Sequence, residues 1–116
     1  MYEFPLTGAQ RTQLRGLGQM LEPAIKLGKG GLSPAFFAEL QKHLDHQELV
    51  KLRFAATAER DERAALCEQI ADEGRCVCVG AVGRTALFYR QQANPERRVV
   101  ALRRQPHAQS HEQPDA

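Results

Sequence analysis

The stretch KLGKGGLSPAFF, residues 26–37, limits the fold more than any other part of the chain. It puts three glycines, Gly28, Gly30 and Gly31, into four positions. Glycine gives up more backbone freedom on folding than any other residue, so such a cluster needs a physical reason. A tight turn, close approach by another backbone, or a phosphate held against main-chain amides would each supply one. Directly after it, Ser33 is a natural helix N-cap and Pro34 suits the first helical position. The preceding AIKLG, Ala24 to Gly28, reads as a short strand. The chain therefore passes from strand to helix through an open turn.

The flanking segments extend that pattern. Thr7 and Gln10 form a T-x-x-Q capping box, and Leu14, Leu17 and Leu21 recur at helical spacing. A first helix is expected from Gly8 to the Gly16–Gly18 region, weakened there by the glycines and stopped before Pro23. A second helix runs from Pro34 to about His46, with Phe37, Leu40 and Leu44 on its apolar stripe. In ELVKLRFA, Val50, Leu52 and Phe54 alternate with Lys51 and Arg53, the period of a strand with one wetter side. Asp61 is the expected cap of a third helix that buries Leu66, Cys67, Ile70 and Ala71 and stops at Gly74. CVCVGAVGRTALFYR then carries two apolar runs around Gly80 to Arg84, a hairpin signal. Strands separated by helices require right-handed parallel crossovers, and the hairpin makes the sheet mixed. The expected class is a compact α/β domain over residues 1–93. Residues 94–116 read as a basic tail, with a short edge strand at Val99 to Leu102 and disorder beyond Pro106.

Charge is unevenly placed along these 116 residues, although the formal net charge is only +2. Between Thr57 and Glu73, six acidic residues face only Arg60 and Arg63. From Gly74 onward seven arginines are opposed by Glu96, Glu112 and Asp115. A basic surface is therefore compatible with near-neutral totals. The three cysteines, Cys67, Cys76 and Cys78, do not resemble a secreted disulfide framework. No apolar run reaches the length of a membrane span, and MYEFPLTG lacks the basic start and long apolar core of a signal peptide. A monomer in a reducing cytoplasm is the expected setting.

Gly28-Lys29-Gly30-Gly31 has the form G-x-x-G at a helix N-terminus. Unpaired amides and the helix dipole favour a phosphate there, and the missing β-carbons admit a nucleic-acid backbone. A G-x-x-G loop that clamps backbone nucleotides is one mode of RNA binding, while the plain alternative is a flexible turn. Lys26 and Lys29 flank the loop; Arg11 and Arg15 share a face of the first helix; Lys51 and Arg53 share a strand face; Arg84 and Arg90 end the hairpin strand. Arg97, Arg98, Arg103 and Arg104 form a basic arm, and Tyr89 is a candidate base-stacking residue. The phosphate-binding pattern G-x-x-x-x-G-K-[ST] and the dinucleotide pattern G-x-G-x-x-G are both absent. His43 with His46, and His107 with His111, lack the further ligands of a metal site, and the cysteines read as small core residues. No cofactor, metal or catalytic residue is expected.

These blocks, in order from Leu6 to Arg90, resemble the CRM domain, the chloroplast RNA splicing and ribosome maturation family, and especially its stand-alone bacterial YhbY-like members. GKGGL resembles the family's G-K-x-G-L loop. HQELVKLRF resembles its H-E-L-V-K-V strand, with Gln47 interposed between His46 and Glu48. VGAVGRTALFYR resembles its closing segment. The resemblance implies a mixed four-stranded sheet similar to the C-terminal domain of the third bacterial initiation factor. It also implies RNA contact through Gly28, Lys29, Gly30 and Gly31, and association with ribosomal RNA in precursors of the large ribosomal subunit. Lys26, Arg11, Arg15, Lys51, Arg53 and Arg84 join the expected site from the surface argument. A protein-interaction adaptor with incidental RNA contact, and a small enzyme acting on a phosphate-containing substrate, remain the alternatives.

Overall fold

The computed structural model describes residues 4–28 and 30–103. Its elements are α1 (Gly8–Gln19), β1 (Ile25–Lys26), α2 (Pro34–Gln47), β2 (Leu49–Arg53), α3 (Arg60–Gly74), β3 (Val77–Val82) and β4 (Thr85–Tyr89). The four strands form one mixed sheet in the order β1-β2-β4-β3. β1 and β2 are parallel, and β4 runs antiparallel to both β2 and β3. Both helical crossovers therefore join parallel strands, as expected, and the hairpin inserts β4 between β2 and β3. The expected disorder beyond Pro106 falls outside the described residues.

Alternation along β2 divides the core in two. Val50, Leu52 and the following Phe54 point to one face, where Leu40 and Leu44 of α2, Ile70 of α3 and Phe88 of β4 pack with them. Leu49 points to the other face and packs with Leu14 of α1, Val79, Leu87 and Tyr89. That second face, expected to be wetter, is largely roofed by α1. Full burial of each such large apolar side chain contributes roughly 1.5–3 kcal/mol.

Close helix approach explains two glycines that read as helix breakers. A β-carbon on Gly18 would sit 2.3 Å from Leu87 Cδ1, so its absence lets α1 settle onto β4 and continue to Gln19. A β-carbon on Gly74 would sit 2.8 Å from Leu40 Cδ2, so this glycine, the last residue of α3 as expected, also admits α2. The left-handed stop falls one residue later, on Arg75 at φ 56°. At the other end the N-cap is Glu59, not Asp61; the Glu62 carboxylate accepts from the Glu59 amide at 3.3 Å.

The segment after β4 follows the molecule instead of leaving it. Asn94 to Arg103 contains a single 3₁₀ turn, Pro95–Arg97, and no edge strand at Val99–Leu102. Its organiser is Glu48, which is fully buried between α2 and β2. The Glu48 carboxylate accepts from the amides of Gln92 at 2.7 Å and of Val99 and Val100 at 2.8 Å. Those amides are diverted from strand pairing to a carboxylate, which explains the missing strand. Gln10 and Gln13 of α1 complete the attachment through Arg103 O, Ala101 O and the Arg103 amide, at 2.7–2.8 Å. Val100 and Leu102 then pack on the α1 side of the sheet. Glu48 sits at φ 64°, a strained backbone for a non-glycine residue that this network holds in place. Glu48→Ala is expected to lower stability by about 3 kcal/mol in urea unfolding. The amides of Val99 and Val100 should then lose hydrogen-exchange protection ahead of those in α2.

Candidate nucleic-acid interface

One end of the sheet gathers the glycine turn, the end of β2 and the β3–β4 hairpin. Parallel pairing sets Lys26 opposite Arg53, and antiparallel pairing sets Arg53 opposite Thr85. The backbone is stitched across this end by Leu27 N to Arg53 O at 2.9 Å and Phe54 N to Arg84 O at 2.8 Å. Ile25 is buried toward α2 and α3, so period-two alternation turns Lys26 to the α1 side. Lys51 and Arg53 project to that same side from β2. Lys26 and Arg53 are exposed and Lys51 is half-buried.

The turn itself is open. Gly28 and Gly30 are exposed, and a β-carbon on Gly28, Gly30 or Gly31 would meet nothing within 4 Å. No packing demand therefore accounts for Gly28 and Gly30. Gly31 has a local reason, since its φ is +65°. Two amides expected to face a ligand are used inside the turn: Gly31 N donates to Gly28 O at 3.1 Å and Ser33 N to Gly31 O at 3.0 Å. The Phe36 amide is capped by the Ser33 hydroxyl at 3.1 Å. What the turn offers is room for close backbone approach beside cations. Lys29, the expected tip cation, falls outside the described residues.

The expected basic residues divide into three groups. Lys26, Lys51 and Arg53 line the α1 side of the sheet end. Arg11 and Arg15 of α1 reach the edge strand β3, donating to Cys78 O at 3.4 Å and Val79 O at 3.3 Å. They cover carbonyls left open where β3 bulges between Cys78 and Gly80, and are not a free stripe on the helix. Arg84 leans away, donating to Ala58 O at 3.3 Å in the β2–α3 connection. Among the described residues, the ion pairs are His43–Glu39 at 3.8 Å and Arg90–Asp45 at 3.1 Å. None of the six described cations of the expected site has a carboxylate partner among the described residues. The acidic helix α3 packs on the opposite face of the sheet.

Other residues singled out by the sequence have structural duties. Tyr89 is fully buried and packs against Phe4 with ring centroids 5.9 Å apart, which removes it as a stacking platform. Arg90 is held by Asp45, by Gln41 Oε1 at 2.7 Å and by Gly74 O at 3.3 Å, joining β4 to α2 and α3. In the basic arm, Arg98 donates to Gln92 O at 2.8 Å; Arg104, His107 and His111 fall outside the described residues. No metal-binding cluster occurs among the described residues. Cys67 and Cys76 are buried in the α2–α3 core, and Cys78 packs against it. Burial pushes the Cys76 thiol up to about 12. A hydrogen bond from Cys67 draws Cys78 down to about 7, aided by a hydrogen bond from the Gly80 backbone and by Arg11, while the same Cys67–Cys78 bond raises Cys67. The clamp by Glu48 and the pairing of α1 arginines with β3 carry no local sequence signature, because their partners lie far apart along the chain.

The family model described as the CRS1/YhbY (CRM) domain matches residues 6–90. A Pseudomonas aeruginosa protein named a probable RNA-binding protein is 33% identical over 99 residues, covering 85% of this chain and 94% of that protein. A Haemophilus influenzae protein named an RNA-binding protein is 32% identical over 85 residues, covering 73% of this chain and 85% of its own length. The solution structure of a hypothetical protein from Staphylococcus aureus superposes with a TM-score of 0.70 at 25% identity, covering 84% of this chain and all of that one.

Two measurements check the local geometry. Gly31→Ala should destabilise the domain by about 1 kcal/mol because of its left-handed backbone, while Gly30→Ala should stay within about 0.5 kcal/mol of the parent in thermal unfolding. Thiol alkylation should select Cys78, with a rate that rises through half-maximum near pH 7 as its thiolate forms. Cys76 should stay unmodified at pH 8 in the folded protein.

Proposed function

The chain belongs to the CRS1/YhbY (CRM) domain family, and from that premise we propose that it binds RNA along the α1 side of its sheet end. The family is one of binding domains, and the chain is not an enzyme. The observation that carries the location is the convergence of Lys26, Lys51, Arg53 and Arg15 on one side, with no carboxylate among the described residues paired to any of them. Uncompensated cations attract a polyanion and release its counterions when it docks. The open turn at Gly28, Gly30 and Gly31 lets a sugar–phosphate strand approach the main chain, with Lys29 as a further cation. Arg11 and Arg84 extend the attractive field without joining the contact row. Because α3 holds Glu68, Asp72 and Glu73 beyond the sheet, its repulsion keeps the other face away from RNA.

Its resemblance to stand-alone bacterial members of the family supports a more specific reading. The RNA is ribosomal RNA in precursors of the large ribosomal subunit, and the protein assists assembly there, in the cytoplasm. The domain over residues 1–93 supplies the docking surface, and the basic chain beyond it adds non-specific attraction. No described helix is long and apolar enough to cross a membrane. Crosslinking in cells, followed by sequencing of attached RNA, should enrich precursor ribosomal RNA; a profile that follows total RNA abundance would contradict the assembly role.

The binding surface has its own test. The double variant Lys26→Gln/Arg53→Gln should bind single-stranded RNA about tenfold more weakly in a filter or fluorescence assay. Its slope of log affinity against log salt should fall by about one to two, the effect of losing two phosphate contacts. Unchanged affinity and slope in the folded variant would move RNA elsewhere on the molecule.

A further inference from the structure

We propose that the groove between the end of α1 and the β3–β4 hairpin receives one unpaired nucleotide of the bound RNA. This rests on the RNA-binding reading above and adds to it a specific subsite and a preference for unpaired strands. The groove has a volume of about 440 Å³ and is bordered by Arg15, Gln19, Lys51, Gly80, Val82 and Leu87, among others. That size lies within the ordinary range of small-molecule sites, about 300–1,000 Å³.

Its lining matches a nucleotide part by part. Leu87, 9% exposed, forms the apolar floor, and Val82, 78% exposed, stands as an apolar wall that no part of the described chain covers. Arg15 crosses the strand over Gly80: a β-carbon on that glycine would lie 2.8 Å from Arg15 Cδ. Its guanidinium is steadied by Val79 O and by the Thr12 hydroxyl, each at 3.3 Å. A steadied, planar cation is a stacking surface for a base and also a donor to phosphate. Lys51 is oriented by Leu21 O at 3.1 Å, which leaves two of its three protons for a ligand. Neither cation has a carboxylate partner among the described residues, so the groove favours an anionic ligand over a neutral one. Gln19 carries both a donor and an acceptor for a base edge.

Continuity with the docking row places this ligand on the RNA. Lys51 lies two residues before Arg53 on the same face of β2, so a strand tracking Lys26 and Arg53 passes the mouth of the groove. A base inside a duplex is stacked and paired and does not enter; an unpaired base does. Charge alone would draw both forms, whereas the groove separates them.

The test uses the full chain with two RNA probes of equal length, one single-stranded and one a blunt duplex, each containing 4-thiouridine. Ultraviolet crosslinking should join the single strand to peptides carrying Arg15–Gln19 or Gly80–Thr85, with little product from the duplex. Arg15→Lys keeps the charge and removes the plane, so the ratio of single-strand to duplex affinity should fall about tenfold, the effect of one lost stacked base. Crosslinks that avoid both peptides, equal yields from the duplex, or an unchanged ratio in Arg15→Lys would each overturn the subsite while leaving RNA binding intact. Failure of the parent protein to bind either probe would instead overturn the RNA-binding reading on which the subsite rests. Displacement of the single strand from the groove by poly-glutamate at equal charge concentration would also overturn it, marking the groove as a seat for acidic peptide.

Discussion

Everything in this domain depends on how β2 divides its side chains. Val50 and Leu52 enter the core built by α2 and α3, while Leu49, Lys51 and Arg53 face the side roofed by α1. A slip of one residue in register would bury the cations and expose the apolar set, so the alternation fixes both the core and the charged surface. β2 also receives β1 on one side and β4 on the other, which brings the glycine turn and the hairpin to the same end. The candidate interface is therefore a consequence of sheet register, and no separate structural device is needed to assemble it.

The two faces of the sheet also separate charge. α3 carries five of the fourteen acidic residues and lies on one side; Lys26, Lys51, Arg53 and Arg15, without carboxylate partners among the described residues, lie on the other. This separation reconciles a net charge of only +2 with a surface suited to a polyanion. Glu48 contributes at the opposite end of β2. Its buried carboxylate ties residues 92–100 to the domain, and α1 holds the segment further through Gln10 and Gln13. The chain after β4 thereby becomes part of the α1 layer.

Much of this was legible in the residues. The Thr7–Gln10 box, the Ser33–Pro34 start and the alternation in ELVKLRF are local signals, and each marks an element close to where it forms. The β3–β4 hairpin likewise turns at Gly83, with φ +58°. What escaped the sequence depends on contacts between distant segments. Gly18 read as a weak point in α1 and Gly74 as the stop of α3, where the helix does end; each glycine also makes room for a side chain from another element, Leu87 and Leu40. Arg11 and Arg15 read as a free helical stripe until the bulge in β3 gives them carbonyls to cover. Glu48 carries no sign of its role in the local sequence, because the amides it accepts from lie 44–52 residues away. The Lys26–Arg53 row was only half visible: each residue could be placed on its strand, but their adjacency comes from the parallel pairing.

In the proposed mode of binding, a strand of RNA lies across one end of the sheet, attracted by lysine and arginine side chains without carboxylate partners among the described residues and admitted close to the main chain by an uncrowded turn. Mapping amide chemical shifts during titration with a short single-stranded RNA tests this most directly. The account predicts shifts concentrated at Lys26, Gly28, Gly30, Gly31, Arg53 and Thr85, extending into Arg15 and Val82, with α3 unperturbed from Glu68 to Glu73. Shifts centred on α3, with the turn and the end of β2 unmoved, would contradict it.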